Sequence, residues 1–208
     1  MDKPQVWSLI HSERKALAAD LDGIDQAAWD SPSLCSEWTV RDVLAHMTGT
    51  TLLSGPGFFA KMVGSGFSLR RLQAKDIQAQ RGSSPADTLA RFKARIDATG
   101  RPPGPLDTML GETVLHSQDI RRPLGIDHSY DSGALIQIAD FFKGSNLIIG
   151  TKRRIAGLGL RATDVDWSHG SGPAVTGPML PLLMAMTGRQ AALADLSGEG
   201  VATLRSRA

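Results

Sequence analysis

Glu112 and His116 lie four residues apart in the segment GETVLHSQDIRRPLG, residues 111–125, which has the spacing of a helix. Side chains at positions i and i+4 of an α-helix share one face, so both could bind one divalent ion. Catalytic zinc sites typically have three protein ligands and one open position, and two histidines with one glutamate form a known set. His46, in a second predicted helix, is the best third ligand because a helical bundle would direct it inward. The spacing predicts a metal site, but a Glu–His pair that merely stabilises a helix surface has the same pattern.

Three other residues carry groups that could take part in such a site. Asp119 could accept the second ring N–H of His116 and fix its tautomer, and a surface pair with Arg122 is the alternative. Cys35 lies in the loop SPSLCSEW without a neighbouring histidine or a second cysteine, so we interpret it as a half-buried spectator. We interpret His169, in the polar stretch ATDVDWSHGSG, as part of a turn rather than as a ligand.

The candidate ligands need helices to position them. Four segments have helical periodicity with start or end signals, and they lie at residues 6–22, 40–53, 85–99 and 106–122. Thr39 is the predicted N-cap of the second helix, with Asp42 as the acidic half of a capping box. Trp38 either packs at the start of this helix or contacts a substrate. Glycines in residues 55–66 are expected to break that region into short pieces. A four-helix bundle is the economical way to bury four apolar stripes.

The character of the sequence changes after Gly150. A fifth helix is predicted over residues 133–143, and the alternation in AGLGLRAT then predicts a strand with one buried face. SGPAVTGP predicts a second short strand, and MLPLLMAMTG and LSGEGVATLRSR predict two helices. We therefore expect an α+β fold with a helical domain at residues 1–150. Residues 151–208 are expected to form a small α/β unit that packs against it.

Composition excludes several classes of function. The 208 residues are 41% hydrophobic and 21% charged, with a formal net charge of +2, which is ordinary for a globular protein with a real core. The basic clusters 121–122 and 152–154 are isolated, so we expect neither nucleic acid nor a membrane as a partner. The first residues lack the apolar core of a signal peptide, and the apolar run 179–186 is too short to span a bilayer. A single cysteine excludes an internal disulfide. We expect a cytoplasmic protein.

Several motifs carry a resemblance to a known family. The segments PSLCSEWTVRDVLAHMTG, GETVLHSQDIRRPLG, AGLGLRATDVDWSHGSGPAVTGP and MTGRQAALADLSGEGVATLRSR resemble the mycothiol-dependent maleylpyruvate isomerase family. The N-terminal domain of that family is a DinB-like metal-binding four-helix bundle. The resemblance implies that His46, Glu112 and His116 are metal ligands. The C-terminal part is shorter than in the isomerase, and the arginine that assists catalysis there has no secure counterpart in this sequence.

The resemblance also implies a chemistry. A divalent metal, zinc above all, would keep an open position for a low-molecular-weight thiol such as mycothiol, and coordination would favour the thiolate. The thiolate would attack a small electrophile and give either conjugation or cis–trans isomerisation. A homodimer is possible. Two alternatives stay open: a hydrolase that activates water with the same ligands, and a non-catalytic module that binds a small molecule or a partner and has a structural or vestigial metal.

Overall fold

The computed structural model describes residues 1–146 and 149–207. Contacts within the chain divide it into two compact units, one of residues 2–128 and one of residues 129–208 together with Met1. The first unit is helical, and the second combines helices with a small sheet. This confirms the predicted α+β fold class. The domain boundary at residue 150, and the packing of the C-terminal unit against the bundle, stay predictions.

The first unit, all of whose residues are described, contains seven helices. They are α1 (Lys3–Asp20), α2 (Gln26–Trp29), α3 (Val40–Thr50), α4 (Gly55–Gly64), α5 (Leu69–Arg81), α6 (Pro85–Lys93) and α7 (Leu106–Arg121). The four predicted helices are α1, α3, α6 and α7, and each is confirmed. Residues 2–128 form no strand, although Pro32 and Thr39 make an isolated bridge.

The sequence determines where these helices begin. The Thr39 side chain accepts a hydrogen bond from the Asp42 N–H, and the Asp42 carboxylate accepts one from the Thr39 N–H. This is the predicted capping box, and it fixes the start of α3. The Ser84 side chain caps α6 by accepting a hydrogen bond from the Asp87 N–H, with Pro85 at the first helical position. The caps satisfy backbone donors that a helix start leaves without partners.

α3 is the central helix of the first unit. It packs against α5, α6 and α7, while α1 packs against α6 and α7. Apolar side chains from these helices form one buried cluster, which includes Leu17, Val43, Leu44, Phe92 and Ile120. Because α3 and α7 are neighbours, side chains on their facing sides can meet.

The expectation that residues 55–66 form only short pieces is wrong. α4 runs over ten residues, with Gly55 and Gly57 in its first turn and Gly64 as its last residue. Glycine costs little helix stability at these ends because the backbone there is only partly committed to the helix. α5 was missed as well. It buries only Leu72 and Ile77, so its apolar stripe is too sparse to read from the sequence.

The second unit contains a small sheet together with short helices. Its described elements are α8 (Ser132–Lys143), α9 (Thr151–Arg154), β1 (Gly159–Ala162), β2 (Ser168–His169), β3 (Ala174–Gly177), α10 (Met179–Met186), a 3-10 helix (Gln190–Asp195) and α11 (Gly200–Ser206). β1 lies in the middle, antiparallel to β2 and parallel to β3. The strands β1 and β3 and the helices α8, α10 and α11 were predicted, and the structure confirms them.

The core of the second unit has the expected alternation. Leu160 and Val175 pair across β1 and β3 and are fully buried, and α10 packs on both strands and on α8. One interpretation needs correction. His169 lies in β2, where it pairs with Leu160, rather than in a turn. The backbone of this segment bends over residues 163–166 and is extended again from Ser168.

None of the helices in the described parts of the chain has both the length and the apolar character needed to cross a bilayer.

Candidate metal centre

The packing of α3 on α7 brings His46, Glu112 and His116 together. One nitrogen or oxygen ligand atom from each side chain lies within 4.8 Å of the others. His46 Nε2 is 3.1 Å from Glu112 Oε1. The rings of His46 and His116 are nearly perpendicular, at 83°, with centroids 5.0 Å apart. The three side chains therefore converge on one point, as the helical spacing and the resemblance implied. That they bind a metal stays a prediction.

The burial and ionisation of Glu112 are compatible with a cation bound where the three side chains converge. Its Oε1 atom is buried and receives no hydrogen bond of good geometry from the described residues, although His46 Nε2 is close. Buried polar atoms without partners are rare and costly, so such an atom calls for an explanation. Burial would raise the pKa of Glu112, but His46, His116 and Thr50 together lower it to about 2. Glu112 is thus an ionised carboxylate beside two imidazoles, which is the donor set that zinc takes.

Asp119 orients His116 from the other side of the ring. Its Oδ2 atom lies 2.9 Å from His116 Nδ1, and the carboxylate has no solvent exposure. The interpretation of Asp119 as a surface carboxylate is therefore wrong. An ionised carboxylate only accepts hydrogen bonds, so beside an ionised Asp119 the proton of His116 lies on Nδ1 and the lone pair of Nε2 is available to a metal.

Cys35 is half-buried, as predicted, but the structure places it beside a histidine, which the sequence did not indicate. Its Sγ atom donates to Asp119 Oδ2 at 3.0 Å and lies 3.5 Å from His116 Nδ1. Cys35, His116 and Asp119 form a second group of side chains close enough to share an ion. The loop is held there by the Leu34 N–H, which donates to the Asp119 carbonyl. No local sequence pattern indicates this contact, because it joins residues more than eighty positions apart.

Trp38 covers the two histidines. Its ring centroid lies 4.9 Å from that of His46 and 6.2 Å from that of His116. Both interpretations considered from the sequence, packing at the helix start and contact with a bound molecule, are compatible with this position. An indole against the two imidazoles limits the directions from which water or a ligand can approach them.

Arg14 is a buried cation in the same unit that the sequence analysis missed. Its side chain is 1% exposed, and Nη1 donates to the carbonyls of Ile96 and Ala98 at 3.2 and 2.8 Å. Burial lowers the pKa of Arg14 to about 10, and the charge of Glu112 opposes that shift. A signal was present, because Arg14 interrupts the apolar stripe of α1 between Ile10 and Leu17.

The other histidines are engaged elsewhere. His128 Nε2 lies 2.8 Å from a carboxylate oxygen of Glu13, and His11 stacks on Trp7. His169 belongs to the second unit and lies near Trp167. Within the described residues, both groups of three possible ligands contain His116.

The family model described as the mycothiol maleylpyruvate isomerase N-terminal domain matches residues 10–121, a range that contains all three candidate ligands. The chain belongs to this family. Among solved structures, it is similar to the crystal structure of the mycothiol-dependent maleylpyruvate isomerase, with a TM-score of 0.66 and 15% identity. A histidine-to-alanine mutant of that isomerase gives the same TM-score with 14% identity. Both alignments cover 96% of this chain and 93% of the other.

At these identities the similarity to solved structures shows the fold alone. A search of curated proteins found no match to the sequence.

Proposed function

We propose that this chain is a metal-dependent enzyme that activates a low-molecular-weight thiol, such as mycothiol, for attack on a small electrophile. The observation that supports it best is the convergence of His46, Glu112 and His116, in which the buried Glu112 Oε1 atom is 3.1 Å from His46 Nε2 without a hydrogen bond of good geometry. Family membership supports a thiol as one of the reactants, because the isomerase whose fold this chain shares is mycothiol-dependent by name.

His46, Glu112 and His116 would hold the metal, which we propose is zinc. Two neutral imidazoles and one carboxylate leave a divalent ion with a net positive charge and an open position. An ion in such a site supplies Lewis acidity and favours the thiolate form of a bound thiol at neutral pH. Asp119 keeps His116 in the tautomer that offers Nε2, and Trp38 shields the histidines from bulk water.

Cys35 does not replace the external thiol in this proposal. It contacts His116 at Nδ1, whereas the nitrogen left for the metal is Nε2, so the Cys35 sulfur lies at a different edge of the imidazole from the proposed ligand atom. Its S–H also donates to Asp119. The nucleophile is therefore supplied by a second molecule.

The reaction class follows from the thiolate. Its sulfur donates an electron pair to a carbon of an activated double bond and forms a C–S bond, while the π bond breaks and its electrons move onto the conjugated electron-withdrawing group. If the adduct takes up a proton, the product is a conjugate. If the former double bond rotates and the thiolate leaves again, the product is the geometric isomer and the thiol is regenerated. Conjugation and isomerisation require the same metal ligands. We therefore propose thiolate addition as the reaction class without choosing between the two products.

The test begins with elemental analysis of the purified protein. We expect about one equivalent of a divalent metal, and its loss in the His46→Ala/His116→Ala variant, because one remaining carboxylate binds weakly. His169→Ala removes a histidine of the other unit and should retain the metal. Circular dichroism would confirm that the helices persist in each variant.

The loaded protein is then screened against small electrophiles with and without mycothiol. Turnover that requires both metal and thiol supports the proposal. Hydrolysis without thiol would indicate a metal-activated water instead. Metal without any turnover would favour the binding module, and metal that survives the double substitution would remove the proposed site altogether.

A further inference from the structure

α4 and the turn that leads into α5 expose a group of large apolar side chains. No residue of α4 is buried. Phe59 and Val63, four positions apart and therefore on one face, are 65% and 62% exposed, and Phe67 is 73% exposed. With Leu69, these residues form what we call the α4 patch. Large apolar side chains that are exposed within a short segment of chain indicate a surface that contacts another apolar surface.

The same segment is basic. Residues 54–75 contain four cationic side chains and no carboxylate. Lys61 pairs with Asp76, and Arg70 pairs with Glu37 at a highly exposed position. Arg71 and Lys75 are exposed, and across residues 1–146 and 149–207 no carboxylate forms an ion pair with either. The α4 patch is therefore flanked by uncompensated positive charge.

The backbone at Phe67 holds its ring towards solvent. Gly66 and Phe67 have φ angles of 62° and 57°, and the Phe67 N–H donates to the Met62 carbonyl at 2.8 Å. This left-handed region is unfavourable for a bulky side chain. Because the Phe67 ring is exposed, burial inside the unit does not repay that cost.

We propose that the α4 patch binds peripherally to an anionic lipid bilayer. Phenylalanine and aliphatic side chains partition into the boundary between headgroups and acyl chains, and neighbouring lysines and arginines attract anionic lipids. Phe59 and Phe67 supply the apolar part, while Arg71 and Lys75 supply the charge. The expectation of no membrane partner considered the clusters at residues 121–122 and 152–154, which are isolated and have no aromatic residues interleaved with them. The α4 patch has both components.

The charge of the segment argues against a second copy of the chain as the occupant. A two-fold contact brings the same patch of both copies together, so the lysines and arginines of the two segments would face each other. Like charges at close range oppose such an interface. An anionic bilayer has the opposite charge and an apolar interior, and thus complements both features of the α4 patch.

The test is co-sedimentation of the full-length protein with vesicles of phosphatidylcholine alone or with about one third phosphatidylserine. We expect binding only with phosphatidylserine and its suppression by high salt, because salt screens the attraction. Arg71→Gln/Lys75→Gln should weaken binding by roughly twenty-fivefold, or about fivefold for each charge. Phe59→Ser/Phe67→Asn should weaken it by about tenfold or more. Asparagine is chosen at position 67 because it tolerates a positive φ.

The matched control is Lys3→Gln/Lys15→Gln, which removes the same charge from exposed positions on α1. It should bind the vesicles like the unmodified protein. Equal binding to both kinds of vesicle, or to none, would overturn the proposal, as would equal effects of the two glutamine variants. Light scattering that shows a dimer lost in Phe59→Ser/Phe67→Asn would assign the α4 patch to a second copy instead. Capture of an acidic protein, in place of vesicles, would assign it to a protein partner.

Discussion

Asp119 is the buried carboxylate that contacts His116, one of the three candidate ligands. Asp119→Asn keeps the size of the side chain but weakens the acceptor of the His116 Nδ1–H. We expect metal affinity to fall by roughly ten- to a hundredfold, the usual effect of losing such a partner. Competition with a chromophoric chelator would measure the change. Asp22→Asn, at an exposed carboxylate, is the control, and equal affinities in the two variants would show that Asp119 does not act on the metal.

The Cys35 thiol is predicted to stabilise the buried Asp119 carboxylate. Cys35→Ala removes a donor at 3.0 Å from a fully buried charge, and we expect a loss of about 1–3 kcal/mol in the free energy of unfolding. Cys35→Ser retains a hydroxyl donor and should recover part of that loss. Urea denaturation of both variants gives the comparison, and identical midpoints for alanine and the native chain would contradict it.

Arg14 and Arg70 make a matched pair of buried and exposed arginines. Arg14→Ala leaves the carbonyls of Ile96 and Ala98 without their donor and opens a cavity, so we expect a loss of about 3 kcal/mol or more. Arg70 is 82% exposed, and Arg70→Ala should cost less than about 1 kcal/mol despite its ion pair with Glu37. Chemical denaturation would distinguish the two effects.

At the scale of elements, the capping box of Thr39 and Asp42 stabilises the start of α3, the helix that carries His46. Thr39→Ala removes the side-chain acceptor of the capping box and should lower the free energy of unfolding by about 1 kcal/mol. Because His46 is two turns further along the helix, we expect metal binding to change much less than stability. Calorimetry and metal titration on the same sample would test this, and a large loss of metal affinity would show that the cap also positions the ligand.

The elements differ in how well the sequence predicted them. α3 and α6 carry caps and apolar stripes, so local patterns were enough. α5 is held against α3 by close packing at Gly49, where an added Cβ would lie 3.3 Å from the Asp76 Cβ. Such a contact depends on the partner helix and leaves no periodic signal. The same holds for Cys35, whose partners come from a distant part of the sequence. The candidate ligands could be predicted because two share a helical face, and the third was indicated both by its place in a second helix and by the family resemblance.

At the scale of the whole molecule, metal should add to stability without creating the fold. The apolar cluster around Leu44 and Phe92 does not include the three candidate ligands. We therefore expect the metal-free protein to keep its helical circular dichroism. Free metal at a hundred times its dissociation constant should raise the free energy of unfolding by about 2.7 kcal/mol. His46→Ala/His116→Ala should show no such rise, and a metal-free chain that unfolds would contradict the prediction.

The placement of two ligands on α7 and one on α3 has a consequence for motion. An ion held there would tie together two helices that are far apart in the sequence, so neither could open alone while the ion stayed bound. Backbone amide exchange along α3 and α7 should then slow together on loading. α4 carries no ligand and has no buried residue, so its amides should exchange as before. Bound metal would thus slow amide exchange in α3 and α7 together, while amide exchange in α4 would stay fast.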